Sequence, residues 1–120
     1  ALLFFSDAGC YRCHNGPVLN GNVFKAVGVK DLVDAGGLAT GIDDERNLGR
    51  GGFTLRDEDM YAFKVPQLYN LKRAGFYFHG SSHTSLRSVV EYFNNGIPEN
   101  PRVDPSYISL LLPMVCMTLI

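Results

Sequence analysis

The segment Cys10-Tyr11-Arg12-Cys13-His14 constrains the fold of this chain more than any other. Two cysteines three positions apart, followed at once by a histidine, are the attachment signature of a c-type haem. On one helical turn, thiols at i and i+3 can each add to a porphyrin vinyl group, and the next residue places an imidazole under the iron. The spacing therefore predicts that Cys10 and Cys13 anchor a haem covalently and that His14 is the proximal ligand of its iron.

Two other interpretations of this cysteine pair remain open. A zinc site needs two further ligands at a compatible spacing, and the side chains available for that role are Cys116, His79 and His83. A thioredoxin-like redox pair follows a strand of a βαβ unit, whereas residues 1–6 are a short apolar run. We expect Cys116, which lies in an apolar C-terminal stretch, to be a buried and inert thiol.

Length and charge limit the classes of partner. A chain of 120 residues forms one domain, small enough for a prosthetic group to supply much of its centre. The formal net charge is −1, with 11 basic and 12 acidic residues, so we expect no nucleic-acid partner. No apolar run approaches the roughly 20 residues of a spanning helix. Covalent haem attachment normally takes place outside the cytoplasm, so the motif predicts the periplasm if the source is bacterial.

Glycine and proline divide the first half of the chain into short pieces. Residues 1–5 are predicted to be the end of a helix. Asn15-Gly16-Pro17 should end the helical turn that carries the haem motif. Residues 18–33 are predicted to be a loop with one short strand-like piece. From residue 34 to residue 60, glycines and acidic clusters leave few apolar side chains that could be buried. We expect a long surface excursion there, either a binding loop or a solvated linker.

The second half contains the best-defined helix. Ser85 is a suitable N-cap, and Asn95-Gly96 with Pro98 should end the helix. Its apolar residues at i, i+3, i+4 and i+7 are Leu86, Val89, Val90 and Phe93. A shorter helix is predicted to start at Pro66. The aromatic residues of segment 74–80 lie beside His79. This pattern is typical either of side chains that line a haem pocket or of an ordinary hydrophobic core. The apolar segment 107–120 is either core or an interface.

Three blocks of this sequence resemble the C-terminal haem domain of the bacterial dihaem cytochrome c peroxidases and of their relative that matures methylamine dehydrogenase. Together the blocks extend from residue 4 to about residue 100, in the same order as in the family. The first block is residues 9–17, with the Gly-Pro that follows the haem motif. The second is Phe63-Lys64 with Pro66, Leu68 and Asn70, and the third is Tyr77-Phe78-His79-Gly80 followed by Ser85-Leu86 and Val89-Val90-Glu91.

The resemblance implies a mostly α-helical, cytochrome c-like haem domain with long irregular loops. Residues 1–120 would be a single domain, either part of a larger dihaem protein or a truncated chain. The expected function is one-electron transfer within a peroxidase-like system, with a second haem domain or another electron-transfer protein as partner. One alternative is an oxidoreductase acting on hydrogen peroxide at an open iron site. Another is a non-catalytic haem subunit that docks a partner through its apolar tail.

The resemblance also implies roles for single residues. His79 and Tyr77 would line the haem pocket, with His79 at the haem edge and not on the iron. A calcium ion between the two domains of the family is bound partly by backbone carbonyls, at positions that match Ala74 and Phe76 here. Since a backbone oxygen needs no particular side chain, these residues are compatible with the ion.

The sixth iron ligand stays open at this point. The position that supplies methionine or tyrosine in the family holds Phe93, which lines the pocket in this interpretation but cannot ligate. Tyr92 is one residue away, about 100° around the helix, and Met114 lies in the apolar tail; both are weak candidates. Glu91 lies off the apolar stripe of the helix. If the chain were itself a peroxidase, Glu91 or His83 would have to move the proton.

Overall fold

The computed structural model describes residues 2–31 and 44–104. Its α-helices are α1 (Leu2–Phe5), α2 (Gly51–Thr54) and α3 (Leu86–Asn95), and its strands are β1 (Phe24–Lys25) and β2 (Phe63–Lys64). Short 3-10 turns occupy Cys10–Arg12, Glu45–Asn47, Asp57–Asp59 and Leu71–Arg73. The predictions for Met114, Cys116 and the tail 107–120 lie outside the described residues.

Across residues 2–31 and 44–104, the architecture has few helices, little strand and long irregular connections. The three α-helices contain 4, 4 and 10 residues, so the long loops are confirmed whereas the predominance of helix is supported only in part. The sequence carries 13 glycines and 6 prolines, which interrupt most periodic segments before a long helix can form. No helix within the described ranges is both long and apolar enough to cross a membrane.

Helix α3 begins and ends where the sequence predicts. The Ser85 side chain accepts a hydrogen bond from the Ser88 backbone N–H at 3.1 Å, as an N-cap does. At the other end, Gly96 adopts the left-handed conformation with φ 64°, and its N–H donates to the Tyr92 carbonyl. This C-terminal glycine is the usual end of a helix because it has no Cβ to oppose a positive φ.

A two-stranded sheet replaces the helix predicted at Pro66. Strand β1 pairs antiparallel with β2, Phe24 opposite Lys64 and Lys25 opposite Phe63, which confirms the strand-like piece in residues 18–33. The Val65 N–H continues the pairing by donating to the Val23 carbonyl at 2.9 Å. The predicted helix start is wrong because this pairing keeps the chain extended up to the proline. The next helical turn begins only at Leu71.

The buried core is small and connects distant segments. Its apolar members are Ala26, Val29, Ala62, Val65 and Tyr92. An isolated antiparallel bridge joins Val27 to Val103, and the Tyr92 hydroxyl donates to the Val27 carbonyl at 2.6 Å. Residues 26–29, β2, α3 and the stretch before residue 104 therefore form one packed unit.

The described part of the predicted surface excursion folds back onto β2. The Arg50 N–H donates to the Ala62 carbonyl, and the Tyr61 N–H donates to the Leu48 carbonyl, both at 2.8 Å. Asn47 is fully buried. A solvated linker is therefore the wrong description of residues 44–60, because a parallel bridge between Gly49 and Ala62 holds this stretch against the core.

Candidate haem site

One helical turn brings together both thiols and the imidazole of the haem motif. The 3-10 turn Cys10–Arg12 follows Gly9, whose φ of 61° starts the turn, and the His14 N–H donates to the Cys10 carbonyl at 2.9 Å. Cys10 and Cys13 are both half-buried. Burial raises the pKa of the Cys13 thiol, an effect that the nearby cations Lys25 and Arg12 oppose. Two thiols on one turn suit thioether formation with a porphyrin.

The His14 imidazole is held by a backbone carbonyl. Its Nδ1 lies 2.9 Å from the carbonyl oxygen of Leu19. Because a carbonyl can only accept, Nδ1 carries the proton and the Nε2 lone pair is left for a metal. A ligating histidine typically donates its other ring N–H in this way, which fixes the tautomer and raises the basicity of the ligand. Together with the two thiols, this arrangement fits a c-type haem.

Leu19 belongs to a tight loop that we name the carbonyl loop, residues 15–21. Leu19 has a φ of 52°, uncommon for a branched side chain, and its N–H donates to the Gly16 carbonyl at 3.2 Å. Gly21 has a φ of 57°, and a Cβ at this position would collide with the Cys13 carbonyl. The loop thus packs directly against the haem motif, with the Leu19 carbonyl directed at His14.

Several large apolar side chains remain exposed around this motif and on α3. Helix α1 packs against the haem turn, and the Phe4 ring lies 6.5 Å from the His14 ring. On α3, Leu86 is 38% and Val90 54% exposed, although the sequence predicts that both face inward. Further exposed residues of this kind are Leu2, Phe5 and Phe76. Where such side chains lie together, exposed apolar surface in a small domain marks the contact area of a ligand or a partner.

His79 lies in a buried ionic cluster that the sequence does not predict. Its Nε2 is 3.0 Å from Asp31 Oδ1, and the other carboxylate oxygen, Oδ2, accepts from Arg102 Nη1 at 2.5 Å. The imidazole stacks on Phe63, with ring centroids 3.8 Å apart. Asp31 is only 4% exposed. We call Asp31, His79 and Arg102 the Asp31 cluster.

The aromatic residues near His79 pack among themselves. The Tyr77 hydroxyl donates to the carbonyls of Leu71 at 2.8 Å and Ala74 at 3.1 Å. Phe93 is half-buried and its ring centroid is 5.8 Å from that of Phe78. In the described part of the chain, the predicted pocket residues Tyr77 and Phe93 thus have protein contacts of their own.

Tyr92 has the environment of a core tyrosine. Its side chain is 7% exposed and its hydroxyl donates to the Val27 carbonyl. Burial raises the pKa of Tyr92 to about 12, with a further contribution from the negative charge of Glu99. Tyrosine ligates iron as the phenolate, which this burial and this hydrogen bond both oppose. The geometry therefore disfavours Tyr92 as the sixth ligand.

The two candidate proton carriers line one open groove. This groove has a volume of about 300 Å³ and is lined by residues that include His83, Glu91 and Glu99. His83 is half-buried, with its ring centroid 4.9 Å from that of Phe78. Glu91 is exposed, in agreement with its position off the apolar stripe of the helix, and its Oε1 lies 3.9 Å from Arg87 Nη1.

Comparison with known proteins gives relatives of one kind, although no family model matches the chain. The chain is 32% identical to cytochrome c551 peroxidase of Nitrosomonas europaea over 72% of its own length and 24% of the relative's. It is 32% identical to cytochrome c551 peroxidase of Pseudomonas aeruginosa over 78% of its length and 26% of the relative's. Identity is also 32% to methylamine utilization protein MauG of Methylorubrum extorquens, over 82% of the chain and 25% of that protein. The chain thus spans about a quarter of the length of these relatives.

Proposed function

Because this chain is a homologue of the dihaem cytochrome c peroxidases, we propose that it is a c-type cytochrome domain with one covalent haem, transferring electrons within a peroxidase-like dihaem system. One observation carries the proposal: the His14 Nδ1 lies 2.9 Å from the Leu19 carbonyl, on the same turn as two half-buried thiols. This is the geometry of a metal-ligating imidazole beside two attachment points.

In this proposal each residue of the turn has a separate task. Cys10 and Cys13 hold the haem through thioethers, and His14 ligates through Nε2. A bound haem supplies a one-electron iron couple whose potential depends on axial ligand, hydrogen bonds and burial. The exposed apolar side chains of Leu86 and Val90 suit contact with a macrocycle, and outer-sphere electron transfer needs no positioned base beside them.

The remaining parts of the proposal concern the surroundings of the domain. The chain matches about a quarter of each relative, and the proposed partner is a second haem domain or an electron-transfer protein. The proposed compartment is the periplasm, where haem attachment normally takes place. Calcium bound by the carbonyls of Ala74 and Phe76 belongs to the same proposal. Both residues are exposed, although the Ala74 carbonyl already accepts from Tyr77.

Acid-acetone extraction tests covalent attachment. We expect the haem of the wild-type protein to stay with the polypeptide, because two thioethers resist the acid that breaks iron–imidazole bonds. The Cys10→Ala/Cys13→Ala double variant should release its haem into the organic phase. The matched control is the third cysteine: Cys116→Ala should retain haem like the wild type. Free haem from the wild-type protein would contradict the proposal.

A second candidate function is peroxide reduction by this domain alone, and the groove that contains both His83 and Glu91 favours it. Cleavage of the O–O bond needs a proton carrier within hydrogen-bond reach of the peroxide. Glu91 is exposed and lies near Arg87, and His83 lies between aromatic rings.

Steady-state turnover of hydrogen peroxide with a reduced cytochrome as donor separates the two functions. We expect the isolated chain to be a poor peroxidase and Glu91→Gln to leave its low rate unchanged. The same measurement on Arg87→Gln controls for the change of surface charge. A rate comparable to that of intact dihaem enzymes, lowered about 100-fold or more in Glu91→Gln or His83→Gln as expected for a lost general acid–base, would favour the second candidate.

A further inference from the structure

Among the described residues, one long-range hydrogen bond ties the carbonyl loop to the segment that follows β2. The Tyr69 hydroxyl donates to the Pro17 carbonyl at 2.9 Å, across 52 positions of sequence. Tyr69 is 55% exposed, so little of its ring is needed for the core. Its hydroxyl reaches a carbonyl only two residues from Leu19.

Within residues 2–31 and 44–104, the other hydrogen bonds of the carbonyl loop are local. The N–H groups of Asn20 and Gly21 donate to the Asn15 carbonyl at 3.1 and 3.3 Å, and the Leu19 N–H donates to Gly16. These bonds shape the loop but do not attach it to the body of the domain. The backbone of Leu19 also has a positive φ of 52°, which an L-residue adopts only at a cost in free energy. A loop of this kind keeps its shape only when surrounding contacts maintain it.

We propose that Tyr69 is a positioning residue that keeps the Leu19 carbonyl on His14 Nδ1 and thereby helps to set the reduction potential of the haem iron. The inference rests on the proposed function, since it concerns the ligand of a bound haem. Tyr69 would act through Pro17 and Leu19, and it need not touch the haem.

The direction of the effect follows from the chemistry of the imidazole. A strong hydrogen bond from Nδ1 to a carbonyl makes Nε2 a more basic ligand, which stabilises ferric over ferrous iron. In a variant without the Tyr69 hydroxyl the carbonyl loop opens more often, so the hydrogen bond from His14 Nδ1 to the Leu19 carbonyl is weaker on average. The reduction potential therefore rises. The Nδ1 proton is also exposed to solvent more often and exchanges faster.

The test compares Tyr69→Phe with Thr54→Val in the haem-loaded protein. Tyr69→Phe removes only the hydroxyl. Thr54→Val is a matched control, because it also removes an exposed hydroxyl that donates to a backbone carbonyl, here that of Arg50 at 3.4 Å. NMR measures the exchange of the His14 Nδ1 proton and of the Gly21 amide, and potentiometry measures the haem potential.

We expect Tyr69→Phe to speed both exchange processes about two- to tenfold, as the loss of one net hydrogen bond predicts, and to raise the potential; Thr54→Val should change none of the three. Unchanged exchange in Tyr69→Phe would overturn the inference, as would faster Gly21 exchange with the Nδ1 proton and the potential unaltered. The proposed function fails by a different result, the recovery of free haem on extraction. Even then, Gly21 exchange reports whether Tyr69 closes the loop.

Discussion

Replacing His14 with alanine should leave the haem attached to the protein but deprive its iron of the imidazole. Both thioethers remain in this variant, so acid-acetone should still extract no haem. We expect the loss of the spectral features of a histidine-ligated iron and a shift of the reduction potential on the order of 100 mV, well inside the roughly 0.8 V range that axial ligands span. Visible and electron paramagnetic resonance spectra, with potentiometry, measure the change.

Added imidazole makes this experiment sharper. Free imidazole should enter the space left in His14→Ala and restore most of the wild-type spectrum, because the ring and not the backbone of residue 14 supplies the ligand. The control variant is His83→Ala, which removes another half-buried imidazole and should keep the axial ligand. A wild-type spectrum in His14→Ala without added imidazole would show that the iron is held by another residue.

The sequence predicts those parts of the structure that depend on the side chains of residues close together in the chain. The spacing of Cys10, Cys13 and His14 fits within one helical turn, so its geometry follows from the helix alone. Helix α3 is predicted for the same reason, since Ser85 and Gly96 mark its ends by local hydrogen bonding and a positive φ. Neither feature depends on contacts between distant segments.

The parts that the sequence does not predict depend on backbone atoms or on tertiary contacts. The carbonyl that holds His14 belongs to Leu19, and any residue has a carbonyl, so only the turn signals Gly16-Pro17 and Gly21 indicate a tight loop there. At Pro66, pairing between strands overrides a local helix preference. Tyr69 reaches Pro17 across 52 positions, a distance over which one sequence gives no pairing rule.

The Asp31 cluster is the clearest example of this limit. Asp31 is separated from His79 by 48 positions and from Arg102 by 71, and none of these contacts belongs to a motif. The side chains are 5%, 16% and 17% exposed, respectively. A carboxylate in such surroundings is retained only because it is paired on both oxygens. The cluster therefore fixes the orientation of His79, the residue that the family resemblance predicts at the haem edge.

Asp31→Ala should consequently destabilise the haem-loaded protein by about 3–5 kcal/mol, the usual cost of removing one partner from a buried ionic pair. Arg102 would keep a positive charge in a largely buried position, and the His79 Nε2 would lose its acceptor. Urea denaturation gives the free energy of unfolding. Glu91→Ala is the control: Glu91 pairs with Arg87 at 3.9 Å, but its side chain is 56% exposed, and its loss should cost no more than about 1 kcal/mol.

Two further variants, Asp31→Asn and His79→Ala, test separate roles of the cluster. The first separates the hydrogen bond between Asp31 and His79 from the negative charge of Asp31, and the second separates the orientation of His79 from the stability of the fold. Asp31→Asn keeps an oxygen that can accept from His79 but removes the negative charge beside Arg102, so it should cost less than Asp31→Ala. His79→Ala should shift the haem potential with the axial ligation unchanged, because it removes the imidazole. Asp31→Ala should shift the potential in the same direction, because it removes the acceptor that orients this imidazole. In the His79→Ala background, Asp31→Ala should then have no further effect on the potential. Equal and additive shifts would mean that Asp31 acts on the haem independently of His79, and loss of a nitrogen ligand in His79→Ala would place His79 on the iron.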